Sequence, residues 1–303
     1  MTKSRTVLFV MVATLLVHAA PTLDTIVANF YPDRLSAQAQ QRHYPDERQQ
    51  TYATFTLGGT SYVLAAYSNG HLGALRLLRN TTTGYVVSDD ATAPLIGQKP
   101  EITACDLDRD GTTDEALVTF ETGRGAAQTW VYQLANGKLI ALTPTTSAGQ
   151  TELGFPEVLD TGSGPLDLVD DSVARTAGDD AVTHNHFILR SGKYASAAPL
   201  DFFGTFYRDT SSPVTATATF DVPGTALGRP YRLTIVNGGS SRPDYRVSSG
   251  EIKLNGITVS APSDFSQTRS AWTLPVTLQE HNVLAVRLQG QPKSRVAVLI
   301  QHD

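Results

Sequence analysis

Between residues 106 and 118 the chain reads DLDRDGTTDEALV, with acidic side chains at alternate positions around a glycine. Asp106, Asp108 and Asp110 stand at positions 1, 3 and 5 of a cation loop, Gly111 allows the sharp turn, Thr112 offers a backbone carbonyl, and Asp114 is the ninth residue. Carboxylates gathered so closely repel one another unless a cation sits among them, and Ca²⁺ accepts six to eight such hard oxygens. The expected cofactor is one Ca²⁺ per chain, held by Asp106, Asp108, Asp110, Thr112 and Asp114. A solvated Asp/Gly turn is the plain alternative, since these residues dominate turns. Four aspartates in full register favour the metal.

An EF-hand would need a bidentate Glu at position 12 and a helix on each side of the loop. Position 12 is Leu117, and the flanks ITAC and EALVTF have the apolar, β-branched and aromatic character of strands. A strand, an acidic loop and a strand in this order resemble the FG-GAP or VCBS repeat, a blade unit of integrin-like β-propellers and of exported bacterial proteins. The resemblance implies that the matching aspartates hold Ca²⁺ between two strands of one blade.

The loop belongs to a repeat. TFTLGGTSYVLAA (54–66) aligns with residues 106–118 at an offset of 52, superposing Gly59 on Gly111, and a weaker copy in LDTGSGPLDLV brings Gly164 and Asp167 into line a further 53 residues on. After each loop the same order recurs: YVLAAYS, Asn69-Gly70, GALRLLR and GYVVS; ALVTFET, AQTWVYQL, Asn136-Gly137 and KLIALTP; DLVDDSV, THNHFILR, Ser191-Gly192 and KYASAAP. Each unit is about a four-stranded blade, so residues 51–200 divide at about 51–97, 98–148 and 149–200. Only the middle unit keeps the acids. Thr54, Thr56, Gly58 and Tyr62 replace them in the first unit, and Leu159, Thr161 and Ser163 in the third, where Asp167 alone remains.

Three blades are too few to close a ring, so a partial arc is expected, with open strand edges that need a cover. Candidates are the partly helical segment 20–50, with runs such as DRLSAQAQQ, the C-terminal domain, or self-association into an oligomer. From Asp201 the pattern changes. EIKLNGITVS signals a type I′ hairpin at Asn255-Gly256, Leu284, Val286 and Leu288 alternate with polar neighbours, and so do Val296, Val298 and Ile300 in the last strand. Residues 201–303 therefore read as a β-sandwich, and the run from YRLTIVNGG to RVAVLI resembles a C-terminal module of exported bacterial proteins. The fold class is all-β: a partial β-propeller of about three four-stranded FG-GAP-like blades followed by a C-terminal β-sandwich.

Residues 1–19 form a signal peptide, with Lys3 and Arg5 before an apolar run from Val7 to Val17 that is short of the ~20 residues needed to span a bilayer. Its removal takes away two bases and no acid, moving the formal net charge from −5 to −7. Such a surface disfavours nucleic acid as a partner, and no later segment of the mature chain is a transmembrane candidate. The expected location is the periplasm, the cell surface or the medium. A single cysteine, Cys105, precludes an intrachain disulfide and reads as a small buried strand residue.

Catalytic motifs are scarce. No nucleophile elbow, HExxH, P-loop or dinucleotide fingerprint is present. His184 and His186 share one face of a strand but read as solvent-facing polar residues, Asp170-Asp171 and Asp179-Asp180 as loop decoration, and Trp130 and Trp272 as core. No catalytic residue is assigned, and the reading favours a calcium-bearing adhesion or binding protein for a protein or carbohydrate ligand. The alternatives are a secreted polysaccharide hydrolase whose sandwich is a binding module, and a structural accessory of a periplasmic or surface complex.

Overall fold

The computed structural model describes residues 21–42, 45, 47–91, 95–123, 126–143, 145–146, 149–150, 153–154, 156–162, 164–176, 179–208, 215–239 and 246–302. The expected signal peptide 1–19 and Ser163 lie outside the described residues.

Two short helices come first, α1 (Leu23–Asn29) and α2 (Asp33–Arg42). Thr22 caps α1 by accepting the Thr25 backbone N–H at 3.3 Å, and Asp24 in the first turn suits the positive end of the helix dipole. Three antiparallel meanders follow. The first sheet holds β1 (Gln49–Leu57), β2 (Thr60–Ser68), β3 (Leu72–Thr81) and β4 (Gly84–Asp90) in that order, with a short β5 (Leu95–Ile96) also pairing β3. The second holds β6 (Gln98–Cys105), β7 (Glu115–Gly123), β8 (Ala126–Ala135) and β9 (Lys138–Ala141). A small hairpin of β10 (Thr145–Thr146) and β11 (Gly149–Gln150) leads to the third, of β12 (Glu157–Leu159), β13 (Asp167–Thr176), β14 (Asp179–Arg190) and β15 (Lys193–Ser196). The three glycines that the repeat superposes, Gly59, Gly111 and Gly164, have φ of 77°, 90° and 77°. A side chain resists that left-handed region, which is why glycine recurs there.

The apolar runs decide how these sheets stack. Every residue from Tyr62 to Ser68 of β2 is buried, so both faces of the strand are covered. Tyr62, Leu64 and Ala66 pack with Ala116, Val118 and Trp130 of the second sheet, while Val63, Ala65 and Tyr67 pack with Val27 and Leu35 of the helices. On its other face the second sheet presents Leu117 and Val131 to Leu168 and Phe187 of the third. The far face of the third sheet, through Leu159 and Val169, meets Phe203, Val236, Ala297 and Leu299 of the C-terminal region. What the helices and the C-terminal region cover is thus an apolar face at each end of the stack rather than the strand edges that the sequence pointed to. Tyr67 Oη donates to Val27 O at 3.0 Å and Asn69 Nδ2 to Leu35 O at 2.9 Å, which fixes the helices to the first sheet.

The C-terminal strands are β16 (Leu200–Tyr207), β17 (Thr215–Asp221), β18 (Tyr231–Asn237), β19 (Ser249–Leu254), β20 (Ile257–Ser260), β21 (Ala271–Val276), β22 (His281–Gln289) and β23 (Arg295–His302). They form two four-stranded sheets, β16-β23-β18-β21 and β17-β22-β19-β20, around a core that includes Leu233, Ile235, Ile252, Leu284, Val286, Val298 and Ile300. Asn255-Gly256 turns the β19–β20 hairpin with φ of 52° and 82°, the type I′ geometry expected. Strand β23 departs from simple alternation: Ala297 and Leu299, between the sandwich-facing residues, are also buried, against the third sheet. The fold is all-β with a two-sheet sandwich at its end. Among the described residues no sheet closes into a barrel, and no helix is long and apolar enough to cross a membrane.

One buried polar side chain braces the sandwich. Asn237, 1% exposed, donates to the carbonyls of Val247 (3.0 Å), Ser266 (3.0 Å) and Arg269 (3.3 Å) and accepts the Val247 N–H at 2.7 Å. Alanine would strand these groups away from water, at about 1–3 kcal/mol for each unsatisfied group. Asn237→Ala is therefore expected to lower unfolding stability by about 3 kcal/mol in a urea titration with an unchanged m-value. A loss under about 0.5 kcal/mol would show that the loop re-satisfies itself.

Candidate metal centre

Residues 106–114 connect β6 to β7, so the loop spans two neighbouring strands of the second sheet. Its shape comes from its own acids. Asp108 Oδ1 accepts the Asp110 N–H at 3.0 Å, Asp110 Oδ1 the Thr112 N–H at 2.7 Å, and Asp106 Oδ2 the Gly111 N–H at 3.1 Å. Short side chains that accept from a backbone N–H a few residues on replace the ladder bonds the loop gives up. Arg109, at φ 63°, is held in the left-handed region while its guanidinium pairs with Asp160 of the third unit. Between the acids Leu107 is fully buried, and its carbonyl accepts the Leu166 N–H at 2.7 Å, joining the loop to the third sheet.

The carboxylate oxygens of Asp106, Asp108 and Glu115 lie within 4.8 Å of one another, the one group of three potential metal ligands among the described residues. Asp110 and Asp114 fall outside that set. Thr112 follows Gly111 in the turn, its N–H engaged by Asp110. Glu115 joins Asp106 and Asp108 although the loop pattern of alternate aspartates does not include it. It heads β7 and is 0% exposed. The signal was an acid directly before ALVTF, all but one of whose residues is buried. Glu115 Oε2 accepts the Leu107 N–H at 2.9 Å, and Oε1 accepts Gln133 Nε2 at 3.2 Å.

These acids are electrostatically frustrated without a counter-charge. Burial raises the proton affinity of Glu115 well above the usual carboxylate range, and the charges of Asp114 and Asp108 raise it further. Asp114 is raised by burial first, then by Asp110 and Asp108. Asp106 Oδ1 and Asp114 Oδ1 are buried and have no hydrogen-bond partner. Buried acceptors left unpaired are rare, and a bound cation is one of the few arrangements that completes them. The donors are all oxygen, which fits a hard divalent cation such as Ca²⁺ or Mg²⁺. Cys105, next in the chain and half-buried rather than buried as expected, is no ligand here: desolvation and Glu115 push its thiol up to about 12, so it stays protonated.

Other singled-out residues lie elsewhere. His186 is 8% exposed, Nε2 3.0 Å from Asp167 Oδ2, and the His184 ring packs edge-on to Phe203 at 5.7 Å. Both therefore face the sandwich, His186 buried and His184 half-buried, because the third sheet is covered on that side. Asp170 and Asp171 lie within β13, and Asp179 and Asp180 open β14, so none is loop decoration. Asp170 Oδ1 accepts the Gly154 N–H at 2.9 Å. Trp130 stacks edge-to-face on Phe120 and Trp272 on Phe265, both in cores.

No family model matches this chain, and no curated protein does. Among solved structures, an exo-β-1,3-galactanase from Phanerochaete chrysosporium in complex with β-1,3-galactotriose is similar over 85% of this chain and 70% of its own, at 12% identity and a TM-score of 0.20. The M60 catalytic domain with two CBM51 domains from Clostridium perfringens covers 86% of this chain and 32% of its own, at 10% identity and a TM-score of 0.24. A GH31 α-xylosidase from Xanthomonas citri reaches 9% identity and a TM-score of 0.17. Superpositions this loose carry no inference about fold or activity.

Proposed function

We propose that this is an exported calcium-binding protein of FG-GAP/VCBS type, whose three meander units are blades of a partial propeller and whose metal is structural. Its role is adhesion or ligand binding at the cell exterior or in the periplasm, with a protein or carbohydrate partner. The observation that carries the calcium is the pair of orphaned oxygens, Asp106 Oδ1 and Asp114 Oδ1, beside a fully buried Glu115. Asp106, Asp108 and Glu115 would hold the ion, with Asp110, Asp114 and the Thr112 carbonyl as the further oxygens that the loop pattern supplies. When bound, the ion neutralises repelling charges and stabilises the folded loop by mass action. Supporting the blade reading are the repeated meander order, the matching positive-φ glycines and the face-to-face stacking of the three sheets.

Calcium titrated calorimetrically into chelator-treated mature protein should bind at one site per chain, and Asp108→Ala should abolish the heat. No saturable heat from the intact protein contradicts the proposal. Chromogenic glycosides and esters should be left unchanged, whereas turnover by the purified protein would favour the hydrolase alternative.

A further inference from the structure

Between the third sheet and the sandwich lies a cleft of about 340 Å³, within the size range of small-molecule sites. Asp167, His186 and Arg190 reach it from β13 and β14, and Thr234, Thr273 and Gln301 from β18, β21 and β23. A second hollow of about 300 Å³ shares Asp167 and Arg190 with it and extends it past Pro165. Ile188 and Leu299 contribute apolar wall.

The polar groups are placed by the fold. His186 sits opposite Val169 across the β13–β14 ladder, and its Nε2 lies 3.0 Å from Asp167 Oδ2. The two side chains are only 8% and 13% exposed, so the pair is nearly removed from solvent although it borders a cavity. His186 Nδ1 is buried without a hydrogen-bond partner, which is unfavourable in either protonation state. Thr234 and Thr273 pair across β18 and β21 with their hydroxyls 2.9 Å apart, leaving one proton and free lone pairs for another molecule. A carboxylate held by His186, an exposed guanidinium at the rim, an amide and two hydroxyls thus line one small space. Asp167 and Arg190 offset one another in charge, so the lining draws in neither anions nor cations as a class. A neutral ligand with several hydroxyls satisfies donors and acceptors together.

We infer that this cleft is a binding site for a neutral, hydroxyl-rich small molecule of monosaccharide to disaccharide size. The inference rests on the ligand-binding part of the proposed function and is independent of the calcium.

Saturation-transfer NMR on the mature protein tests it, with glucose, galactose, mannose, N-acetylglucosamine, cellobiose and maltose as probes and glucuronate and glucosamine as charged controls. At least one neutral sugar should bind saturably with Kd on the order of 1 mM, the strength a few hydrogen bonds on a small ligand give. Binding should shift the His186 ring signals in histidine-labelled protein, and Asp167→Asn, Gln301→Ala and Thr273→Val should each weaken it at least about tenfold. Should Asp167→Asn misfold, the other two, at the half-buried and exposed sides of the cleft, decide. Absence of saturable binding to every neutral sugar, binding of a charged control alone, or affinity unmoved by Gln301→Ala and Thr273→Val overturns the inference. Sugar binding without a calcium heat sinks only the calcium reading, and calcium binding without sugar sinks only this one.

Discussion

Chelation is expected to lower the melting temperature by about 10 °C, and Glu115→Gln to reverse the sign of the difference from the parent. A ligand at about a thousandfold over its Kd adds about 4 kcal/mol to the folded state, and about 2–4 °C accompanies each kcal/mol in a chain of this size. Asp108→Ala removes one of the three clustered carboxylates and should erase most of the dependence. Glu115→Gln keeps the shape and an acceptor for the Leu107 N–H while deleting an acid whose ionisation burial, Asp114 and Asp108 all oppose. With chelator present at neutral pH, the variant should therefore be more stable than the parent by about 1–2 kcal/mol, because folding no longer has to protonate this acid or bury its charge. In excess calcium it should be less stable, having lost a ligand. A Gln variant that is destabilised equally in both conditions would show that Glu115 acts only through its two hydrogen bonds.

The second large effect lies where the first two meanders pack. Phe120 is 0% exposed and meets Trp130 edge-to-face with ring centroids 6.0 Å apart. Across the layer, a Cβ added to Gly73 of β3 would stand 2.5 Å from Phe120 Cε1 and 3.0 Å from Leu95 Cβ. The bare glycine thus makes the slot that the ring fills. Phe120→Ala should destabilise by about 3–5 kcal/mol through lost burial and the cavity left behind. Gly73→Val should do the same from the other side, by overpacking, at about 1–3 kcal/mol. Combining Gly73→Ala with Phe120→Leu should cost less than the sum of the two, since the smaller side chain yields the space the methyl takes. Additive losses in urea unfolding would mean the two positions do not share a slot.

How legible the fold was in the sequence depended on whether a feature is local. The acidic loop, the repeated glycines and the Asn-Gly turns depend on φ and on side chains bonding their own neighbours, so residue type and spacing reveal them. Stacking is not local. YVLAAYS and RVAVLI signal burial on both faces, but a single strand does not say what lies on each, so the alternation of Val296, Val298 and Ile300 leaves the burial of Ala297 and Leu299 unannounced. His184 and His186 looked solvated because nothing in THNHFILR announces that a sandwich sheet from residues 200–302 will cover them. Glu115 is not legible from spacing, because loop templates count positions. Its role depends on β7 turning an inward-facing side chain under the loop, beside Asp106 and Asp108.

Crystals of the protein grown with calcium, with diffraction recorded at long wavelength, give the most direct test. The account predicts an anomalous peak among Asp106, Asp108 and Glu115, at about 2.3–2.6 Å from six to eight oxygens. Full-occupancy calcium conditions that leave this loop without a peak, its acids turned apart into solvent, would contradict it.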